Sequence, residues 1–223
     1  MNFLEANLSY FLEKRGCNLS GFLRTYEVSN VENLPLSALM AFCREEELSL
    51  ENLLLYPHFF YRDKTKHIRL LILDIDGVMT DGGMYFTESG DQFKKYNTKD
   101  GMGIMALHQL GIKTGIISSG FKQGMVRARA EMLKIEHVYV GREPKINILR
   151  DWCKELAIDF SNVGIIGDDI NDLEIMRNVG FSACPADAVP VVKKQVDLVL
   201  RKEGGRGCVR EFIDNYLLPQ PLE

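Results

Sequence analysis

The 223-residue sequence predicts an α/β protein, a doubly wound parallel sheet preceded by a small all-helical segment. Three observations predict it. From Ile68 onward, short apolar runs alternate with amphipathic stretches, the pattern of strand-helix units that wind a parallel sheet. Leu70 to Leu73 is an unbroken apolar run, as a central strand buried on both faces requires. Residues 1 to about 60 repeat apolar side chains at helical spacing instead, which divides the chain into a helical segment, 1–66, and a sheet domain, 67–223.

In the helical segment, Leu8, Phe11 and Leu12 mark a first helix ended by Gly16, and Leu19, Phe22 and Leu23 mark a second. Leu36, Leu39, Met40 and Cys43 form a third stripe, and Ser49 is placed to cap a last helix over 50–55, before Pro57. This order resembles the small helix-turn-helix domains of the phage-repressor type. Val28 to Pro35 leaves little room for a recognition helix, however, and the segment through Lys66 carries seven basic against nine acidic residues. Nucleic acid is therefore not an expected partner, and the segment reads as a packing or oligomerisation appendage. A regulatory or scaffold protein acting through it is the alternative of another class. Tyr61 to Lys66 is a polar link to the first strand.

Beyond that strand, the runs 84–87 and 92–96 around E-S-G-D signal a hairpin. Asp100 can cap a helix over 102–110, and 112–117 is the next strand, ending in Ser118 and Ser119. Gly120 opens a helix. A short strand over 138–140 leads through G-R-E-P-K to a helix from about 146 to 156, and Val163 to Ile166 is again an apolar strand. The runs 181–183 and 196–200 read as edge strands with a short helix between, and 209–217 as a final helix.

An apolar fraction of 46% supports a real core, and a net charge of -4 argues against a general polyanion-binding surface. The five cysteines are odd in number and lack any C-x-x-C pair, so neither a disulfide framework nor a zinc site is expected. With no signal peptide and no run of membrane-spanning length, a cytoplasmic location is expected.

Chemistry is concentrated at strand ends. Asp74 and Asp76 lie two apart, so in extended chain their carboxylates point the same way, and Gly77 lets the backbone turn at once. Open α/β sheets hold their ligands in the crevice beyond such ends. Paired carboxylates call for a cation or a proton between them, and a hard ion such as Mg2+ suits oxygen ligands. Alone, D-I-D-G is equally an acidic turn. A second acidic strand end follows at G-D-D-I-N-D, 167–172.

Asp74 and Asp76, then Ser118, Lys145, and Asp168, Asp169 and Asp172, within the strings D-x-D-G-V-x-T-D-G and G-D-D-x-N-D, resemble the haloacid dehalogenase superfamily of phosphotransferases. The resemblance runs from Ile68 to the last helix. It implies a Rossmann-like core, Mg2+ as cofactor and Asp74 as the nucleophile that forms an aspartyl-phosphate. Asp76 would be the acid and base, lending its backbone carbonyl to the metal, and Asp168 would supply a further metal carboxylate. Ser118, with Ser119 and Gly77, would meet the phosphate, and Lys145 would set a positive charge on it. Asp169 and Asp172 would support, touching a metal-bound water or holding Lys145.

Neither usual insertion point has room for a cap domain. The stretches 96–104, 184–190 and 204–211 resemble the capless, tetrameric branch, which acts on 3-deoxy-D-manno-octulosonate 8-phosphate and on 9-phosphorylated sialic-type acids. That implies a phosphorylated sugar acid as substrate and a homotetramer. The octulosonate ester of lipopolysaccharide synthesis is preferred over the N-acylneuraminate 9-phosphate of sialic acid synthesis. Lys94, Lys95, Lys99, Arg206 and Arg210 are candidates to meet the substrate carboxylate. One departure stands out: the chain reads Ser118-Ser119-Gly120 where octulosonate phosphatases usually read T-G-R.

Overall fold

The computed structural model describes residues 3–46, 48–55, 61, 64–120 and 123–218. The chain divides into two compact units, Met1–Lys64 and Thr65–Glu223.

The first unit contains helices Phe3–Lys14, Leu19–Thr25, Leu36–Glu45 and Leu50–Leu55. Asn18 caps the second by accepting from the Gly21 amide at 2.7 Å. Leu8, Leu12, Leu23, Leu39, Phe42 and Leu53 form its core. The third helix turns differently from the expected stripe: Ala38, Leu39, Phe42 and Cys43 are buried, whereas Leu36 and Met40 are exposed. Phe42 decides this, because its ring meets Phe11 and Phe22 edge-on at 5.9 and 5.5 Å and centres the buried face on itself. A single short turn, Val31–Asn33, occupies the place of a recognition helix. Pro57 and part of the link 61–66 lie outside the described residues.

In the second unit, the described residues form a six-stranded parallel sheet and a separate two-stranded hairpin. The strands are β1 (Leu70–Leu73), β4 (Lys113–Ser118), β5 (His137–Val140), β6 (Val163–Ile166), β7 (Phe181–Cys184) and β8 (Leu198–Val199). Their order is β5-β4-β1-β6-β7-β8, and Leu73 pairs with Ile116 on one side and Ile166 on the other. All four residues of β1 are buried, because both sheet faces are covered. Ile146, Leu149 and Cys153 of helix Lys145–Leu156 pack on Leu70 and Ile72. Toward the far end of the sheet, Phe212 of helix Cys208–Phe212 stacks on Phe181 at 5.8 Å.

Three expectations need correction. Phe181–Cys184 is an interior strand, since β8 pairs beyond it; only β5 and β8 are edges. Helix Thr98–Gln109 starts earlier than Asp100 predicts: Asn97 is extended and accepts from the Lys99 amide at 2.9 Å. Asp100 sits buried within the first turn, where it accepts from the Arg210 amide at 2.7 Å. The next helix runs Gly124–Met132 rather than opening at Gly120. The hairpin pairs β2 (Tyr85–Phe86) with β3 (Gln92–Phe93).

Candidate active site

Where the winding reverses, β1 lies between β4 and β6, and the three carboxyl ends open on one crevice. The Asp74 amide extends the β1 ladder to the Ile166 carbonyl at 3.1 Å, so the nucleophile candidate is held by the sheet itself. Directly after it the chain doubles back. Gly77 takes φ +84, and the Thr80 amide closes the turn on the Ile75 carbonyl at 2.9 Å. Any Cβ at position 77 would overlap the Asp168 carboxylate, so glycine serves both the turn and the close approach. The glycine-rich stretch from Gly204 lies against this turn from outside: the Gly205 amide donates to the Val78 carbonyl at 2.9 Å, and a Cβ on Gly204 would strike the Gly77 carbonyl.

A cleft of about 570 Å³ opens above it, lined by Asp74, Asp76, Gly77, Ser118, Ser119 and Asp168 among others. Beneath lies Lys145, the first residue of its helix and almost fully buried. Its Nζ donates to Asp172 Oδ1 at 2.7 Å and lies 3.2 Å from Asp74 Oδ1, close enough for an ion pair but misdirected for a hydrogen bond. Burial works against the charged amine, yet Asp74 and Asp172 outweigh it and hold Lys145 above lysine's ordinary pKa. Asp172 is fully enclosed, and its second oxygen accepts the Asp168 amide at 3.2 Å. It is thereby committed to Lys145 and the loop.

Asp74 and Asp168 are less fully engaged. Each has a buried Oδ1 with no hydrogen bond. Burial, then the Asp172 charge, pushes the Asp74 carboxyl up to about 7; burial, then Asp74, pushes Asp168 up to about 7. With Asp172 they bring ligand oxygens within 4.8 Å of one another. Two buried carboxylate oxygens that accept no hydrogen bond and repel each other are the donor set a hard divalent cation would satisfy.

The structure therefore brings together Asp74, Asp76, Gly77, Ser118, Ser119, Lys145, Asp168, Asp169 and Asp172. Asp169 is exposed and accepts from the Ile170 amide at 2.7 Å. Ser118 is buried at the end of β4, and Ser119 Oγ accepts from Asn171 at 3.1 Å. Of the five basic candidates only Lys94 lines the cleft, and it pairs with Asp76. Lys95, Lys99 and Arg206 are exposed away from the lining, and Arg210 pairs with Asp214, four residues on, at 2.7 Å. Sequence reasoning missed Asp81, Gln92, Asn171 and Asp187. Asp81, Asn171 and Asp187 lie inside strings already singled out, and the Asp187 carboxylate accepts the Gly204 amide at 2.9 Å.

Residues 135–212 match the family model for haloacid dehalogenase-like hydrolases. Across 157 residues the chain is 42% identical to the 3-deoxy-D-manno-octulosonate 8-phosphate phosphatase KdsC of Escherichia coli K12, covering 70% of this chain and 83% of that protein. The chain belongs to the haloacid dehalogenase-like hydrolases. Among solved members of this hydrolase family, the Yersinia pestis octulosonate phosphatase superposes with a TM-score of 0.67 at 37% identity, covering 69% of this chain and 83% of that one. The Moraxella catarrhalis octulosonate phosphatase, solved with magnesium, phosphate and KDO, gives a TM-score of 0.67 at 34% identity over 70% of this chain and 88% of that one. As a haloacid dehalogenase-like protein of this kind, the chain is an enzyme, a phosphatase.

Proposed function

We propose that the enzyme is a Mg2+-dependent phosphomonoesterase that hydrolyses 3-deoxy-D-manno-octulosonate 8-phosphate to the free sugar acid and phosphate. The observation that carries it is the buried Asp74 at the switch point, between the Lys145 ammonium and the unpartnered Asp168 carboxylate. The 42% identity to an octulosonate phosphatase supports the substrate.

Asp74, Asp168 and the Asp76 backbone carbonyl would hold the cation. Bound there, Mg2+ would supply positive charge to offset that of the phosphate oxygens, so that an anionic nucleophile could approach. Asp74 attacks phosphorus in line and the bond to the sugar oxygen breaks, while Asp76 gives that oxygen a proton. Asp76 then takes a proton from the water that attacks the aspartyl-phosphate, freeing phosphate and restoring Asp74. Lys145, its side chain only 5% exposed, sets a fixed positive charge beside the transferring group. Ser118 and Ser119 hold phosphate oxygens, and Asp172 keeps Lys145 in place.

We assign the phosphatase to residues 67–223 and a packing role to residues 1–66, in a cytoplasmic homotetramer. The exposed apolar residues Tyr85, Phe86 and Phe93 of the hairpin support subunit contacts there. The test is phosphate release with Mg2+ from octulosonate 8-phosphate and N-acylneuraminate 9-phosphate side by side. A hundredfold preference for the first, about 2.7 kcal/mol, is expected. An equal preference, or the reverse, overturns the substrate.

A further inference from the structure

Among the charged residues that line the cleft outside the mechanism above, the hairpin residue Lys94 is paired directly with a residue of the mechanism. It follows β3 directly, its side chain is only 10% exposed, and its ammonium meets Asp76 Oδ1. The Thr80 hydroxyl, which donates to the Ile75 carbonyl at 3.1 Å, lies 3.4 Å from the same oxygen. Both contacts fall on Oδ1, and Asp76 lines the cleft. Its other carboxylate oxygen is thus the one left for the reacting group.

We infer that Lys94 is a positioning residue for Asp76, reserving Oδ2 as the oxygen that exchanges a proton with the leaving group. This rests on the hydrolytic reading. The reason lies in hydrogen-bond inventory. A lysine ammonium has donors and no acceptor, so an oxygen engaged by Lys94 cannot also carry a proton directed at it. As the bond from Asp74 to phosphorus forms and the ester P–O bond breaks, the Oδ2 proton passes to the departing alkoxide. In the second half, a water proton returns to Oδ2. Lys94 gains and loses nothing in either step. Without it, Asp76, whose side chain is 41% exposed, is free to rotate away from the leaving group.

A role acting through the leaving-group proton has a signature that general hairpin disruption lacks. Esters whose alkoxide is a poor leaving group need the proton; aryl esters with a good one do not. The substrates are simple alkyl and aryl phosphate monoesters that carry no carboxylate, which removes any effect of Lys94 on a sugar acid's charge. Because kcat/KM reports steps up to phosphorylation of Asp74, it isolates departure of the leaving group.

Lys94→Ala is expected to lower kcat/KM at least tenfold on the alkyl esters and less than threefold on p-nitrophenyl phosphate. Lys94→Arg is expected to restore most of the alkyl rate. In an Asp76→Ala background, Lys94→Ala should cost nothing further. Equal losses on both ester classes, or full additivity with Asp76→Ala, overturn the assignment. If the unaltered enzyme releases no phosphate from octulosonate 8-phosphate or from either ester class, or Asp74→Asn still turns over, the hydrolytic reading falls instead, and this assignment with it.

Discussion

Asp74 carries the most unusual balance of forces of any single residue described. Its carboxyl is pushed up to about 7, as is that of Asp168, against an unfolded value near 4. The folded, metal-free protein therefore holds these protons more tightly than the unfolded chain does. Stability from these groups is full below about pH 4 and is lost as pH rises toward 7. Melting of the metal-free protein should accordingly fall by several degrees between pH 5 and pH 8, and Mg2+ should restore more at pH 8 than at pH 5. Scanning calorimetry with and without chelator checks this. Asp74→Asn should abolish phosphate release, by at least a thousandfold, while raising the metal-free melting temperature at pH 8 by about 2–6 °C. Lys145→Met should do the opposite to stability: Asp172, fully buried, loses its cation, and urea unfolding at pH 8 should show a loss of about 3–5 kcal/mol.

Between single residues and the whole chain, the turn from Ile75 to Met79 is the element on which the site depends, and it is built from two sides. Gly77 needs its positive φ and the room that a Cβ would take from Asp168; Gly204 needs to lie against the Gly77 carbonyl. Gly204→Ala should therefore displace the turn from a distance. A tenfold or greater drop in kcat and a stability loss of about 1–3 kcal/mol are expected, measured by phosphate release and urea unfolding. Strands β1 and β6 were legible in the sequence because continuous apolar runs ending in acid or glycine have few other readings, and β4 showed through its Ile116-Ile117 pair before Ser118. Helix starts were less so. Asn97 and Asp100 are both good caps, and the choice between them was made by the Arg210 amide, more than a hundred residues away. The outer position of Phe181–Cys184 misread for a different reason: strands over 181–183 and 196–200 were both expected, but neither run tells which of the two lies outside the other. Of the basic residues, only geometry could single out Lys94, since a lysine in a hairpin looks the same whether it faces solvent or Asp76.

At the scale of the whole molecule, the division at Lys64 and Thr65 separates a helical core from the unit that holds every residue of the site. Removing residues 1–64 should leave kcat/KM within threefold of the full chain, and sedimentation of both forms reports whether the helical segment contributes to assembly. Loss of activity with an unchanged oligomer would assign the segment to the site instead. Within the larger unit, the Cys208 thiol reaches the Val78 carbonyl across 130 residues of sequence, and Gly205 bonds the same carbonyl. During synthesis, Asp74 leaves the ribosome long before the stretch that clamps its turn. A nascent chain stalled short of Gly204 should have its first strands but no phosphatase activity, and the enzyme should switch on only as its last segment is delivered.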